Sequence, residues 1–436
     1  MSRIDAAHAL VRFGLGPRTG EIDALAAYPT GWLIENIARG ADRSSSVGHQ
    51  DRLVAFLEAR EAGTAQTSFR EQVRRQVRAD VHQRIDTAIR TETPFAERLV
   101  HFWANHFTVA VNRPQVTSLA KPFEDEAVRP HVTGRFADML SAVVHHPAML
   151  LYLDNVISFG PNSPAGRRTG RGLNENLARE LLELHTLGVD GGYTQDDVIA
   201  LAQILTGWSV SRLRDPDPGT FRYHDLAHEP GDKVLLGQTF SQGGQAEGEA
   251  ALALLASHPS TARHIATKLA RHFIADDPPT SAIDTLSQAF LDTDGDLAAV
   301  YRALIDLPEA WQPHLTKVRT PNDLLIAALR AFDVREADER TAATLRLLGQ
   351  VPWTAPSPAG WPDDAAGWLG PEALMRRIDW SVAVAGLAER AMDPRRLLET
   401  AVGPLVSATT QFHVDGAPSA LEGIALVLSS PEFQRR

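Results

Sequence analysis

Apolar positions recur with helical spacing along most of this chain, and the stretches between the helical runs carry capping residues. Ser2 and Asp5 form an S-x-x-D capping pattern ahead of a periodic run that ends at Phe13, with Gly14 placed to stop it. Thr19 and Thr30 stand where they can cap two further short helices, and residues 40–49 (GADRSSSVGH) read as a polar break. From Ser68 to Arg90, Phe69, Val73, Val77, Val81 and Ile85 recur every four residues in an Arg- and Gln-rich segment, so one stripe packs and the rest is solvated. Thr93-Pro94 opens a helix that crowds His101, Trp103, Asn105 and His106 into its last turns. Residues 158–172 (SFGPNSPAGRRTGRG) have no periodicity and predict a mobile loop, whose Arg167, Arg168 and Arg171 either gather an anion or are simply solvated.

The densest pattern lies at 174–208, NENLARELLELHTLGVDGGYTQDDVIALAQILTGW. At ~100° per residue, Asn176, Arg179, Glu180 and Glu183 share one stripe, and Leu177, Ala178, Leu181, Leu184 and His185 share the other face. Asn174 can cap this first helix. After a glycine-containing turn, Thr194 and Asp197 form a capping box for a second helix that Gly207 ends before Trp208, which predicts an α-α hairpin. The polar stripe either faces water or lines a cleft. In the second case Glu180 and Glu183, at i,i+3, can work as an acid/base pair with Arg179 setting their ionisation.

Beyond the hairpin, Phe221–His224 and Val234–Leu236 can pair as a small β-hairpin with a long connection, and His224, Asp225 and His228, with Lys233, form a second polar group close in sequence to the central helices. The helix STARHIATKLARHF puts Lys268 and Arg271 on one face and reads as structural. DTDGD at 292–296 resembles a calcium loop with its glycine too early and reads as a helix cap. Residues 351–370 hold Trp353, Trp361 and Trp368 in a Pro/Gly-rich segment; exposed, they form a stacking platform for sugars or a partner, buried, they fasten a long loop over the core, and a lid over a cleft satisfies both.

Composition narrows the chemistry. The 436 residues, 44% hydrophobic and 22% charged, fit a globular protein with a substantial core. The expected fold class is mainly α, a single large helical domain over 1–436 with at most two lobes, 1–208 and 246–436, around an insertion at 209–245. A formal charge of −11 argues against a nucleic-acid surface. The absence of cysteine leaves only His, Asp, Glu and Asn for any metal. No apolar run is long enough to span a membrane, and the N-terminal residues do not resemble a secretory signal, so a cytoplasmic location is expected for the chain as written.

The blocks NENLARELLELHTLGVDGGYTQDDV…LTGW, FWANHFTV, HPAMLLYLDN, HDLAHEPGDKVLLGQTF, HPSTARHIATKLARHF and SSPEFQRR closely resemble the bacterial domain-of-unknown-function 1800 family, over essentially the whole chain. The resemblance implies that Asn174, Glu175, Asn176, Arg179, Glu180, Glu183 and His185 belong to the principal motif of that family. It also implies a sulfatase-like protein as a partner, and an exported, periplasmic location in many relatives.

Three functions follow as expectations. One is an enzyme doing hydrolysis or elimination on a polar, saccharide-like substrate, with Glu180, Glu183, His106, His224 and Arg179 as catalytic candidates. Its candidate substrate contacts are Asn174, Asn176, Trp103, Trp208, Trp361 and Lys233. The second is a non-catalytic partner or scaffold for the sulfatase-like protein. The third is an enzyme using a divalent metal held by His106, His224 and Asp225 or a motif carboxylate. Because His185 lies opposite the Glu180/Glu183 stripe, any imidazole working with that pair is expected from His106 or His224.

Overall fold

Short-range side-chain bonds start many of the helices. The Ser2 hydroxyl and Asp5 carboxylate cap Arg3–His8 reciprocally, Thr194 and Asp197 do the same for Gln195–Ile204, and Asp296 caps Leu297–Asp306. Thr19 and Thr30 are not caps; Gly20 and Tyr28 hold those positions, ahead of Glu21–Leu25 and Pro29–Arg39. Asn174 bonds the Asn176 amide at 3.0 Å, but the helix begins at Asn176 with Glu175 in the cap position.

The computed structural model describes residues 2–43, 47–63, 66–111 and 113–436, and 62% of it is helical. The middle of the polar break at 40–49 and the Phe69 side chain lie outside the described residues. The expected loop at 158–172 contains a short helix, Pro164–Thr169, started by the Ser163 hydroxyl.

The two predicted strand segments form, but not with each other. Phe221–Tyr223 pairs antiparallel with Trp208–Val210, and Lys233–Leu235 pairs with Gln238–Phe240. Leu236 and Gly237, with φ of 52° and 75°, make the two-residue turn between the second pair. Positive φ at both central positions matches the right-handed twist of a tight hairpin, so this local pairing wins over the longer connection.

Two hydrophobic clusters organise the core. The larger runs from Ala9 to Ala310 and includes Phe13, Phe95, Trp103, Phe107, Leu181 and Phe273. The second joins Val81, Ile85 and Ile89 of the long helix Gln66–Arg90 to residues 324–433. Buried ion pairs tie elements of the first cluster to elements of the second, chiefly Arg98–Asp323 at 2.9 Å. No helix among the described residues is long and apolar enough to cross a membrane.

Candidate functional site

The helix Pro259–Phe273 buries Ala262, Ile265, Leu269 and Phe273, and this sets where its polar residues point. His264, Lys268 and His272, spaced i, i+4, i+8, fall along one face. The C-terminal part of that face borders a cavity of about 490 Å³. The Pro94–His106 helix supplies another wall through Arg98, Phe102 and Asn105, Asn322 and Asp323 a third, and the tryptophan segment the roof.

The roof is fastened down. The Asn105 side chain donates to the Trp361 carbonyl at 3.0 Å and accepts from its amide at 2.8 Å. Gly360 has a φ of 83°, and a Cβ there would lie 2.4 Å from the Asn105 carbonyl oxygen, so the close approach requires glycine. Trp353 donates to Glu124 at 3.3 Å, and Trp368 to the Pro362 carbonyl at 2.9 Å. The segment is both a packed loop and the cover of a cavity.

Under this roof the charges are mostly met. Asp323 takes Arg98 at 2.9 Å and Arg436 at 3.0 Å. Asp363 accepts from His272 Nδ1 at 2.6 Å, with Lys317 at 3.6 Å and Arg436 at 3.8 Å. Burial alone would raise Asp363, but His272 and the two cations hold it well below the usual carboxylate range. Burial, reinforced by Arg436 and Arg98, pushes His272 down to about 4 despite Asp363. The ring is therefore neutral at pH 7, with Nδ1–H given to Asp363 and Nε2 left as the acceptor nitrogen. An Arg436 Nη lies 3.3 and 3.4 Å from the two ring nitrogens; only unprotonated Nε2 can accept from it, through a long bond that gives way when Nε2 takes a proton.

Lys268 is different. Its ammonium lines the cavity and has no hydrogen bond or ion pair among the described residues. Burial pushes it down to about 8, with Asp363 opposing and Arg271 adding.

His106 lies at the cavity edge with one ring nitrogen engaged. Its Nε2 donates to the His185 carbonyl at 3.1 Å, as His264 Nε2 does to the Leu184 carbonyl at 3.0 Å. These carbonyls are left open where the motif helix ends in a π turn, Leu181–His185, so the two imidazoles cap that end. His185 is fully buried with neither ring nitrogen bonded, and burial, then Lys268 and His264, push it down to about 3. Donation from Nε2 leaves His106 Nδ1, buried without a hydrogen bond, as its acceptor nitrogen.

The hairpin residues sit elsewhere. Glu180 and Glu183 are half-buried and bond no other side chain among the described residues. Burial and then Glu183 raise the Glu180 carboxyl, while Tyr152 is pushed up to about 12 by burial and then Glu180. Arg179 is bound by Glu175 at 2.7 Å and Gln195 at 3.1 Å, so its main partner is Glu175. Asn176 is exposed and Asn174 half-buried, spent on the local turn.

Several expected site residues are structural. Trp103 is fully buried, donates to the Tyr301 hydroxyl at 2.6 Å and stacks on Phe107. Trp208 is fully buried against Gly248, where a Cβ would come within 2.2 Å of its ring. Neither can touch a substrate. Lys233 is buried on Glu247 at 2.8 Å and the Glu229 carbonyl at 2.6 Å, fastening the second strand pair to the helix Gln245–Ser257. His224 directly follows the first strand pair, near Arg222 and Asp215, and exposed Asp225 faces Tyr223 at 3.4 Å. His106, His224 and Asp225 therefore do not converge as metal ligands.

Among the described residues, His49, Glu126 and His146 do bring three ligand atoms within 4.8 Å of one another. Their chemistry does not fit a metal. His146 Nδ1 accepts from the Ala148 amide at 3.1 Å, so its proton sits on Nε2, 3.6 Å from Glu126. Glu126 is also taken by the His49 amide at 2.9 Å. Glu126 is hydrogen-bonded to the ring and amide of His49, with His146 beyond hydrogen-bond distance.

Reading the sequence missed His272, Asp363 and the isolation of Lys268. Two signals pointed there: the i, i+4, i+8 run of His264, Lys268 and His272, and the use of only four lysines, at 121, 233, 268 and 317, among 43 basic residues.

Comparison with the curated proteins and with the solved structures gives no match. The chain does match, over residues 8–435, the family described as "Protein of unknown function (DUF1800)", and it belongs to that family.

Proposed function

We propose that the cavity under the tryptophan segment is the active site of an enzyme that performs hydrolysis or elimination on a small polar, saccharide-like substrate, with His272 as general base. The observation that carries this reading is the 2.6 Å His272–Asp363 bond at the cavity wall. Asp363 fixes the tautomer and steadies the imidazolium that forms when Nε2 takes a proton from water or from a substrate C–H. Trp353 and Trp361 line the cavity, and aromatic side chains of this kind suit the apolar faces of a sugar. The cavity volume suits a molecule of that size.

The test is consumption of components from a metabolite and oligosaccharide extract, followed by mass spectrometry. The wild-type protein is expected to consume at least one species, and His272→Ala to do so about 10²-fold more slowly or worse. An extract left unchanged by the wild type, or consumed equally by both, overturns the reading. The half-buried Glu180/Glu183 pair is the competing location for the same chemistry.

A second reading, a non-catalytic partner of a sulfatase-like protein, is favoured by an apolar groove of about 670 Å³ lined by Leu329, Phe332, Trp380, Val384 and Met392. Beside it, the helix Pro371–Ala388 leaves Met375 and Val382 55% and 46% exposed. Co-purification of the two proteins, lost on Val382→Asp, is the outcome this reading predicts. Failure to co-purify would remove it.

A further inference from the structure

Lys268 is set apart from the other lysines by the absence of a counter-charge. Lys121 pairs with Asp125, Lys233 with Glu247, and Lys317 with Asp276 and Asp363. Among the cations around the cavity, Arg84 meets Glu124 at 2.8 Å, and Arg98 and Arg436 meet Asp323. Arg271, at the exposed rim, donates only to the Asp276 carbonyl at 3.2 Å.

Behind the wall the imbalance continues. Arg319 is 2% exposed, rests over the Phe433 ring at 4.9 Å, and leaves one Nη without a hydrogen bond. Lys268 is half-buried at the cavity, so its ammonium keeps only part of its water, and an entering anion stabilises a partly desolvated cation that lacks a partner. Of the acids lining the cavity, Glu124, Asp323 and Asp363 are committed to arginine, lysine or histidine, and exposed Asp364 accepts from the Gly367 amide at 2.9 Å.

We infer that the ligand of this cavity is a small organic anion whose oxyanion group, a carboxylate or a phosphate, sits against Lys268 with Arg271 at the entrance. The inference rests on the cavity being the functional site. It narrows the saccharide-like class to acidic members, sugar acids or sugar phosphates. A bound oxyanion also bears on His272: a negative charge near this wall opposes Arg436 and raises the basicity of Nε2, so the substrate's own charge helps ready the base.

The scarcity of lysine makes the test clean, because among the described residues Lys268 is the one lysine side chain without an acidic partner. The wild-type protein is treated with N-hydroxysuccinimidyl acetate at pH 8, and modification of Lys268 is followed by peptide mapping. The reaction is run in sodium chloride, sodium acetate or sodium phosphate at equal ionic strength. Lys268 is expected to react fastest of the four lysines in chloride, and about fivefold more slowly in acetate, phosphate or both, as site occupancy by a weakly bound anion requires.

Protection by acetate alone identifies a carboxylate site, and protection by phosphate alone a phosphate site. Equal rates in all three salts overturn the inference. His272→Ala is expected to keep the protection. Protection together with turnover that ignores His272 would sink the general-base reading alone, whereas His272-dependent turnover without protection would sink the anion alone.

Discussion

The motif hairpin and the wall of the tryptophan-roofed cavity are both rich in charge, and they differ in how that charge is met. On the hairpin the partners are neighbours in sequence: Glu175 holds Arg179, and Asp197 closes a capping box with Thr194. The bonds at its far end, from His106 and His264, also secure helix carbonyls. At the cavity, side chains from residues 98, 272, 323, 363 and 436 meet across great sequence distance, and Lys268 is left without a partner. A dense polar motif can thus mark a well-fastened piece of scaffold. Function is better sought where distant segments converge on an unbalanced charge.

The largest expected effect separates the two regions by stability. Asp323→Ala leaves Arg98 and Arg436 buried without their carboxylate and is expected to cost about 3–5 kcal/mol in urea unfolding. Glu183→Gln, on the hairpin, is expected to change stability by less than about 0.5 kcal/mol. Similar costs for the two would erase the distinction.

Acid should act next. His8, His264 and His272 are held down to about 4, and His185 to about 3, chiefly by burial. Below pH ~6.5 the unfolded chain takes up protons that the folded chain refuses, so stability falls progressively as pH drops from there to about 4. Denaturation midpoints measured across that range check the direction. A midpoint that stays flat would mean that these imidazoles are already charged in the fold.

The smallest effect has the opposite sign. Lys268→Met removes an unpaired ammonium and is expected to raise Tm by about 2 °C or more in chloride buffer at pH 7. Because Lys268 is pushed down to about 8, its charge costs stability fully below that pH, and the cost is relieved as pH rises toward ~10.5. The advantage of the variant should shrink over the same interval. A lower Tm for the variant at pH 7 would mean that the ammonium has a stabilising partner.

Local chemistry explains what the sequence disclosed. The capping boxes at Ser2/Asp5 and Thr194/Asp197, the opposition of His185 to Glu180 and Glu183, and the mainly α fold all follow from spacings of three or four residues. The roofing tryptophan segment was legible as a loop rich in Trp, Pro and Gly. The cavity beneath it was not, because Asn105 and Trp361 are 256 residues apart, and His272 and Asp363 are 91 apart. Trp103 and Trp208 carry no local mark distinguishing a buried ring from a binding one. Lys268 looked like an ordinary lysine on an amphipathic helix until the roof was in place.

Turnover of the same extract by His272→Ala and by the Glu180→Gln/Glu183→Gln double variant, measured side by side, tests the placement of function most directly. The account predicts that the double variant stays within about threefold of wild type while His272→Ala falls by about 10²-fold or more. Loss of turnover in the double variant with His272→Ala unaffected would return the active site to the hairpin.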